Sequence, residues 1–403
     1  LLLVTNGATL SDTSCNFGDA YGGSIPATNN TAVVAGSVWI NNSSLAIGFN
    51  GYSNRVLVTD SGSVQAPSLI VGFRGTGNQL IVSNSAAVIV NNLFSGGINS
   101  LNNSVTVSGG TITANNSIGF NGHGTLTINS GLLITPYLTT EANGSAGSEI
   151  ILNGGTLQSG TTIYGNTMSF VVGNGIDPAS FIMSNNGSHS FPGGVIVSSN
   201  GSVKGVGTIQ ANVSVNQGGN IAPGTINTGA ITVNGNLALN PGSTTVMKLD
   251  ASSGASDSLT GATNLAYGGT LQLTNISAAL TAGKSFKLFG ATNYFGAFSN
   301  LTPAAPGAGL RWDTNELNID GVLRVFSTTK PAPTLGNITM ANGSLTVSAT
   351  GGIPFDPCYL LTSTNLTDWS YTATNYFDAS GAASFTNAVA PAEPQQYFRV
   401  QVN

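Results

Sequence analysis

His123 in Asn121-Gly122-His123-Gly124 and His189 in Gly187-Ser188-His189-Ser190 are the two side chains of this sequence suited to moving a proton near neutral pH. Either could serve as a base beside one of the many serines. Neither falls in a nucleophile elbow, a triad-like arrangement or a metal-ligand spacing, and both are expected as loop residues in Gly-rich turns. Hydrolysis by paired carboxylates needs two acids on one face. Asp60, Glu141, Glu149 and Asp177 are scattered singly, and only Glu141 and Glu149 could approach each other across a loop. The densest acidic run, Asp313-Thr314-Asn315-Glu316-Leu317-Asn318-Ile319-Asp320-Gly321, departs from calcium-loop spacing and reads as a turn. Gly283-Lys284-Ser285 is similar to the end of a phosphate-binding loop, but the first required Gly falls at Ala278 and no helix follows. Cys and His at zinc-ligand spacings are missing. These residues give no catalytic, cofactor-binding or metal assignment.

The elements that must position any site repeat. Ile47-Gly48-Phe49-Asn50-Gly51, Val71-Gly72-Phe73-Arg74-Gly75, the Gly96-Gly97 pair and Ile118-Gly119-Phe120-Asn121-Gly122 follow one another at a period of about 24 residues, the spacing of coils in a solenoid. After each turn comes an alternating strand: Val56-Leu57-Val58, Leu80-Ile81-Val82, Val105-Thr106-Val107, Leu126-Thr127-Ile128 and Ile150-Ile151-Leu152. Residues two apart share a face, so Val56/Val58, Leu80/Val82, Val105/Val107, Leu126/Ile128 and Ile150/Leu152 should stack in columns inside the coils. Phe49, Phe73 and Phe120, once per coil beside Gly, are expected to form a stacked ladder. The expected class is all-β.

Composition narrows the function. Charged residues make up 6% of the 403, against roughly 25% in ordinary soluble domains, so neutral hydrogen-bonding groups must cover the surface. Recurring β-branched and aromatic residues argue against disorder. A net charge of -5 with no basic stripe excludes nucleic acid as a partner. No apolar run approaches the roughly 20 residues of a transmembrane helix, and no membrane insertion is expected. The start at Leu1-Leu2-Leu3-Val4, with no basic residue before it, suits a processed or truncated chain. Sequons such as Asn143-Gly144-Ser145 and Asn300-Leu301-Thr302 permit glycosylation without arguing for it.

Five segments are expected. Residues 1–46, irregular around Gly22-Gly23 and Pro26, read as an N-terminal cap and first coils; 47–248 continue as parallel β-helix coils; 249–326, where charge returns, as terminal coils and a capping segment. Residues 327–333, Ser327-Thr328-Thr329-Lys330-Pro331-Ala332-Pro333, form a short stiff linker. Residues 334–403 carry strand-like runs at Leu345–Ser348, Tyr359–Thr362, Ser370–Thr372, Ala383–Phe385 and Tyr397–Val400 and read as a small β-sandwich.

The stretch Gly205-Val206-Gly207-Thr208-Ile209-Gln210-Ala211-Asn212-Val213-Ser214-Val215 through Asn220-Ile221-Ala222-Pro223-Gly224, with Ile231–Leu237, Gly283–Leu288 and Leu310–Asn315, resembles the autotransporter-associated β-strand repeat of bacterial surface proteins. That resemblance implies a right-handed parallel β-helix, secreted or displayed at the cell surface. Tyr359-Leu360-Leu361-Thr362-Ser363-Thr364-Asn365-Leu366-Thr367-Asp368-Trp369 and Gln396-Tyr397-Phe398-Arg399-Val400 resemble a small fibronectin- or immunoglobulin-like domain of the kind that ends many secreted proteins of the Verrucomicrobia. The chain does not resemble the membrane-embedded translocator barrel of an autotransporter.

These readings lead to an extracellular structural protein without catalysis or cofactor, its partner a further copy of itself joined head-to-tail as a filament or surface layer. A carbohydrate-binding adhesin, with glycans as partner, is the alternative, and a polysaccharide-degrading β-helix enzyme the third reading. The expected assembly residues are Leu1, Leu2, Leu3 and Val4, an apolar extended segment that can add a strand to a neighbour's sheet edge, together with Cys15 and Cys358. The solenoid would hold those cysteines on the order of 55 Å apart, beyond the reach of an internal disulfide. A bond between successive subunits is the sharper expectation, and two buried thiols the bland one.

Overall fold

A computed structural model of the protein describes residues 1–19, 27–97, 100–141, 147–328, 331–341, 344–388 and 395–402. Gly22, Gly23, Pro26, Asn143, Thr329 and Lys330 lie outside them. The described chain is all-β: a parallel β-solenoid of about ten turns, followed by small antiparallel sheets. It divides into two compact units, residues 1–278 with 286–304 and 314–323, and residues 279–285 with 305–313 and 324–403.

In the solenoid unit, alternation dictates which residues enter the core. Val56, Leu80, Val105, Leu126 and Ile150 stand in one parallel register, and Val58, Val82, Val107, Ile128 and Leu152 in the next, as the period of two requires. The second column begins at Val4, passes through Val34 and continues beyond Leu152 through Val172, Val197 and Val215 to Leu239. All of these side chains are buried. Each such side chain contributes about 1.5–3 kcal/mol relative to exposure, so coils stabilise one another by stacking rather than singly. Thus Leu2–Val4 and Thr9–Phe17 already stand in column register with Thr31–Ala35 and Val38–Ile47.

Corners are built from residues that tolerate the left-handed region. Asp60 and Ser61, and one coil later Asn84 and Ser85, all have positive φ between the first and second strands of their coils. Asn84 Nδ2 donates to Thr59 Oγ1 and Asp60 Oδ1, both at 3.2 Å, which ties one corner to the next. At the other end of this unit Tyr267 Oη donates to Leu317 O at 2.9 Å, and the amides of Leu288 and Phe289 donate to Gly321 O. The acidic run from Thr314 to Gly321 is therefore turn backbone laid over the last coil, with Leu317 buried under it.

The second unit holds two three-stranded antiparallel sheets, Thr334–Ala341 with Ser344–Thr350 and Ala383–Ala388, and Ser370–Tyr376 with Pro357–Ser363 and Tyr397–Gln401. Leu345, Val347, Cys358, Leu360, Phe377 and Phe385 form their shared core. Among the described residues no helix is long and apolar enough to cross a membrane.

Candidate functional site

The corners carry a feature that sequence reading missed. Asn54, Asn78 and Asn103 are fully buried and stacked, one per coil. Asn78 Oδ1 accepts from the backbone N–H of Asn54 at 3.0 Å and from Asn54 Nδ2 at 3.1 Å; Asn103 Oδ1 does the same for Asn78 at 2.9 and 3.1 Å. The amide orientation is forced, because a backbone N–H only donates and the carbonyls of Gly51, Gly72 and Gly75 that face the Nδ2 groups only accept. Asn30 closes the series at one end by donating to Asn54 Oδ1. Gly124 takes the equivalent place after Asn103, and without a side chain the ladder stops there.

This ladder explains the repeated glycines. A Cβ at Gly48 would lie 2.0 Å from Asn78 Oδ1, and one at Gly72 would lie 2.1 Å from Asn103 Oδ1; both glycines also have φ near +70°. Gly48 and Gly72 of the Gly48-Phe49 and Gly72-Phe73 motifs are thus the space that the buried amides fill, whereas Gly119 faces Phe94.

The expected phenylalanine ladder is corrected. Phe49 and Phe73 do stack, centroids 4.9 Å apart and planes 16° from parallel, on the outside with Arg74 beside them. Phe120 is wholly buried, because it pairs with Ser95, which pairs with Val71: it stands two positions out of step with Phe73.

The two histidines part company. His123 sits in a turn with φ +60°, as expected. His189 does not: it lies within the strand Ala179–Ser190, faces inward between Thr162 and Ile209, and is fully buried. Its Nδ1 is 3.1 Å from Thr162 Oγ1, while Thr162 Oγ1 donates to Ser159 Oγ and Ser159 Oγ donates to Thr161 O. Thr162 has thus committed its only proton and accepts from the imidazole, which places the hydrogen on Nδ1. Nε2 is left as a buried acceptor facing no hydrogen-bond donor. Phe181 meets the ring edge-on at 5.3 Å, within a cluster of Tyr164, Phe170 and Phe191. Burial drives the imidazole pKa down from 6.5 to about 4. Ser159, Thr162 and His189 are hydrogen-bonded in a row, and all three are buried in the core.

Of the acids, Glu149 opens the strand Glu149–Leu152 and Glu141 follows Thr125–Thr140, with 142–146 between them outside the described residues. No three His, Cys, Asp or Glu side chains come together as a metal site among the described residues. Gly283 lies in a turn and Ser285 opens the strand Ser285–Lys287. Asp12 holds the first coils together, accepting from the buried Trp39 indole at 2.8 Å and from Asn41 Nδ2. Asp12→Ala would leave both donors unpaired, and a loss of about 2 kcal/mol is expected in urea unfolding, with Asp12→Asn losing less. Equal stability of Asp12→Ala and the parent would exclude this role. A buried charge pair lies farther along the solenoid, Lys248 Nζ lying 2.8 Å from Asp257 Oδ2 and donating to Pro223 O.

Among the expected assembly residues, Leu2 and Val4 pair with Ala32 and Val34, while Leu1 and Leu3 point outward and are exposed. Cys15 faces inward opposite Leu45 in the first coil, and burial and then the Asp12 carboxylate push its thiol pKa up. Cys358 is completely buried, its Sγ directed at Asn375 O, and burial raises its thiol pKa as well. Both thiols therefore resist forming thiolates. A disulfide from Cys358 to another chain would require opening the domain core.

The fold defines the chain as a β-solenoid repeat protein. No protein-family model matches it, and neither does any curated protein.

Proposed function

We propose that this chain is an extracellular structural protein whose copies join head-to-tail into a filament or surface layer. What supports this reading best is where the polar groups go: the histidine, the stacked asparagines, Asp12 and the Lys248–Asp257 pair are engaged in holding coils together. Strands Leu2–Val4 and Thr9–Phe17 are each paired along one side among the described strands, which leaves backbone groups to receive a further strand. A heterologous contact of that kind propagates unless its rotation closes a ring. Negative-stain microscopy of the purified protein should give filaments or sheets, and removal of residues 1–8 should abolish them. Monodisperse single particles under all conditions would refute the assignment, and filaments unchanged by the deletion would refute this end as the contact.

A glycan-binding role is the second reading. It is favoured by one face of the second unit, where Tyr359 and Tyr371 rings meet at 5.6 Å and the Arg399 guanidinium covers the Trp369 ring at 4.5 Å. Exposed aromatic faces with planar polar neighbours suit pyranose rings. Retention of the protein on insoluble polysaccharide, lost in Tyr371→Ala, would favour this reading over the first.

A further inference from the structure

The two sheets of the second unit are closed along one side. There Ser370–Tyr376, an edge strand, lies against Ala383–Ala388 of the other sheet, and Asn375 Nδ2 donates to Ser384 O at 2.7 Å. The opposite edges, Thr334–Ala341 and Tyr397–Gln401, are each paired with one neighbour only among the described strands. Along Thr334–Ala341 the consequence is visible in the side chains. Leu335, Ile338 and Met340 stand opposite Ala349, Val347 and Leu345, so they project from the core-facing side of the sheet. Yet they are 40, 53 and 67% exposed, whereas their partners are 0, 0 and 5% exposed. All eight residues of the strand are exposed, and none is charged.

We propose that Thr334–Ala341 is a docking edge for a second copy of this chain, joined by antiparallel pairing of the strand with its own counterpart about a twofold axis. Three observations favour a second copy. The free edge offers backbone donors and acceptors in a row, which an identical strand running the other way can satisfy. The strand lacks the lysine, proline or inward charge that commonly protects an edge, so two identical strands meet without like-charge repulsion. A register centred on Thr339 sets Ile338 of each copy beside Met340 of the other on the same face, with the regular residues Ile338–Met340 at its centre. The exposed apolar side chains of both copies then form one patch, and the two three-stranded sheets become one of six strands. Being isologous, this contact closes on itself. It deepens the self-assembly reading by linking filaments sideways rather than lengthening them.

Sedimentation velocity of the 403-residue protein over a concentration series should show a reversible dimer. Ile338→Lys or Met340→Lys sets a charge against the other copy's apolar side chain, the two together set like charges side by side, and each should weaken the dimer about tenfold or more. Amide exchange within Thr334–Ala341 should slow as the parent protein is concentrated and stay fast in the lysine variants. The Val347 amide, in the interior strand, should remain protected in all of them, which reports that the domain is folded. A protein that is monomeric at every concentration overturns the proposal, including the case in which the edge receives a peptide from a different protein. So does a dimer that neither lysine weakens. Dimers without filaments support this contact and sink the filament reading; filaments whose lateral pairing ignores both lysines do the reverse.

Discussion

Asn78→Ala should lower the stability of the solenoid by about 2–6 kcal/mol, because it strips partners from two buried groups that would each cost about 1–3 kcal/mol unpaired. These are the Asn54 backbone N–H and the Gly51 carbonyl, whereas Asn54 Nδ2 keeps the Gly18 and Ala27 carbonyls as acceptors. Asn30→Ala is the control. It removes one donor from Asn54 Oδ1, which keeps the Asn30 backbone N–H, and a loss below about 1 kcal/mol follows. Urea unfolding followed by circular dichroism measures both. Similar midpoints for Asn78→Ala and Asn30→Ala would refute the ladder as a stabilising element. Because each amide also bridges to the next coil, the loss should lower cooperativity between coils as well as the midpoint.

The contrast between the ladder and the columns explains what could be read from the sequence. The columns were legible because burial of alternate residues leaves a period of two, as at Val56 and Val58, and stacking then repeats it about every 24 residues. The C-terminal strands at Leu345 and Tyr359 were legible for the same reason, and those at Ser370, Ala383 and Tyr397 as short strand-like runs between turn residues. Thr334–Ala341 was not, since Gly336-Asn337 interrupts its alternation at the irregularity between Leu335 and Ile338. Aligning Gly119-Phe120 with Gly72-Phe73 failed because glycine marks any tight approach of backbone and cannot say which corner it belongs to; the pairing of Phe120 with Ser95 decides that. The amide ladder did leave a trace, Asn30, Asn54, Asn78 and Asn103 recurring at the coil period, each just before a first strand. In so Asn-rich a chain that trace is hidden among surface asparagines. His189 likewise alternates with buried Phe191, which places it on the inner face; a polar side chain there is found only by asking what it would bond to.

Acidification should cost the solenoid about 3 kcal/mol between pH 6.5 and pH 4 through His189 alone. The folded imidazole titrates at about 4 instead of 6.5 because burial opposes the charged form. The added proton would go to Nε2, which has no acceptor to meet it, since Nδ1–H already faces Thr162 Oγ1. The unfolded chain binds that proton first as pH falls, so stability present above pH 6.5 is lost through this window and no further loss from this group occurs below pH 4. Asp250 cannot mimic the effect. The Ser253 hydroxyl and then that of Ser277 hold its carboxyl down at about 2, so its contribution falls away only below the ordinary carboxylate range. His189→Leu matches the neighbouring inward residues Leu138 and Ile209 in character, removes the titration, and leaves the Thr162 hydroxyl its bond to Ser159. Urea midpoints measured at pH 7, 5.5 and 4 should fall for the parent and stay nearly level for His189→Leu. A parallel fall in both proteins would place the acid sensitivity elsewhere and contradict a buried neutral imidazole at this position.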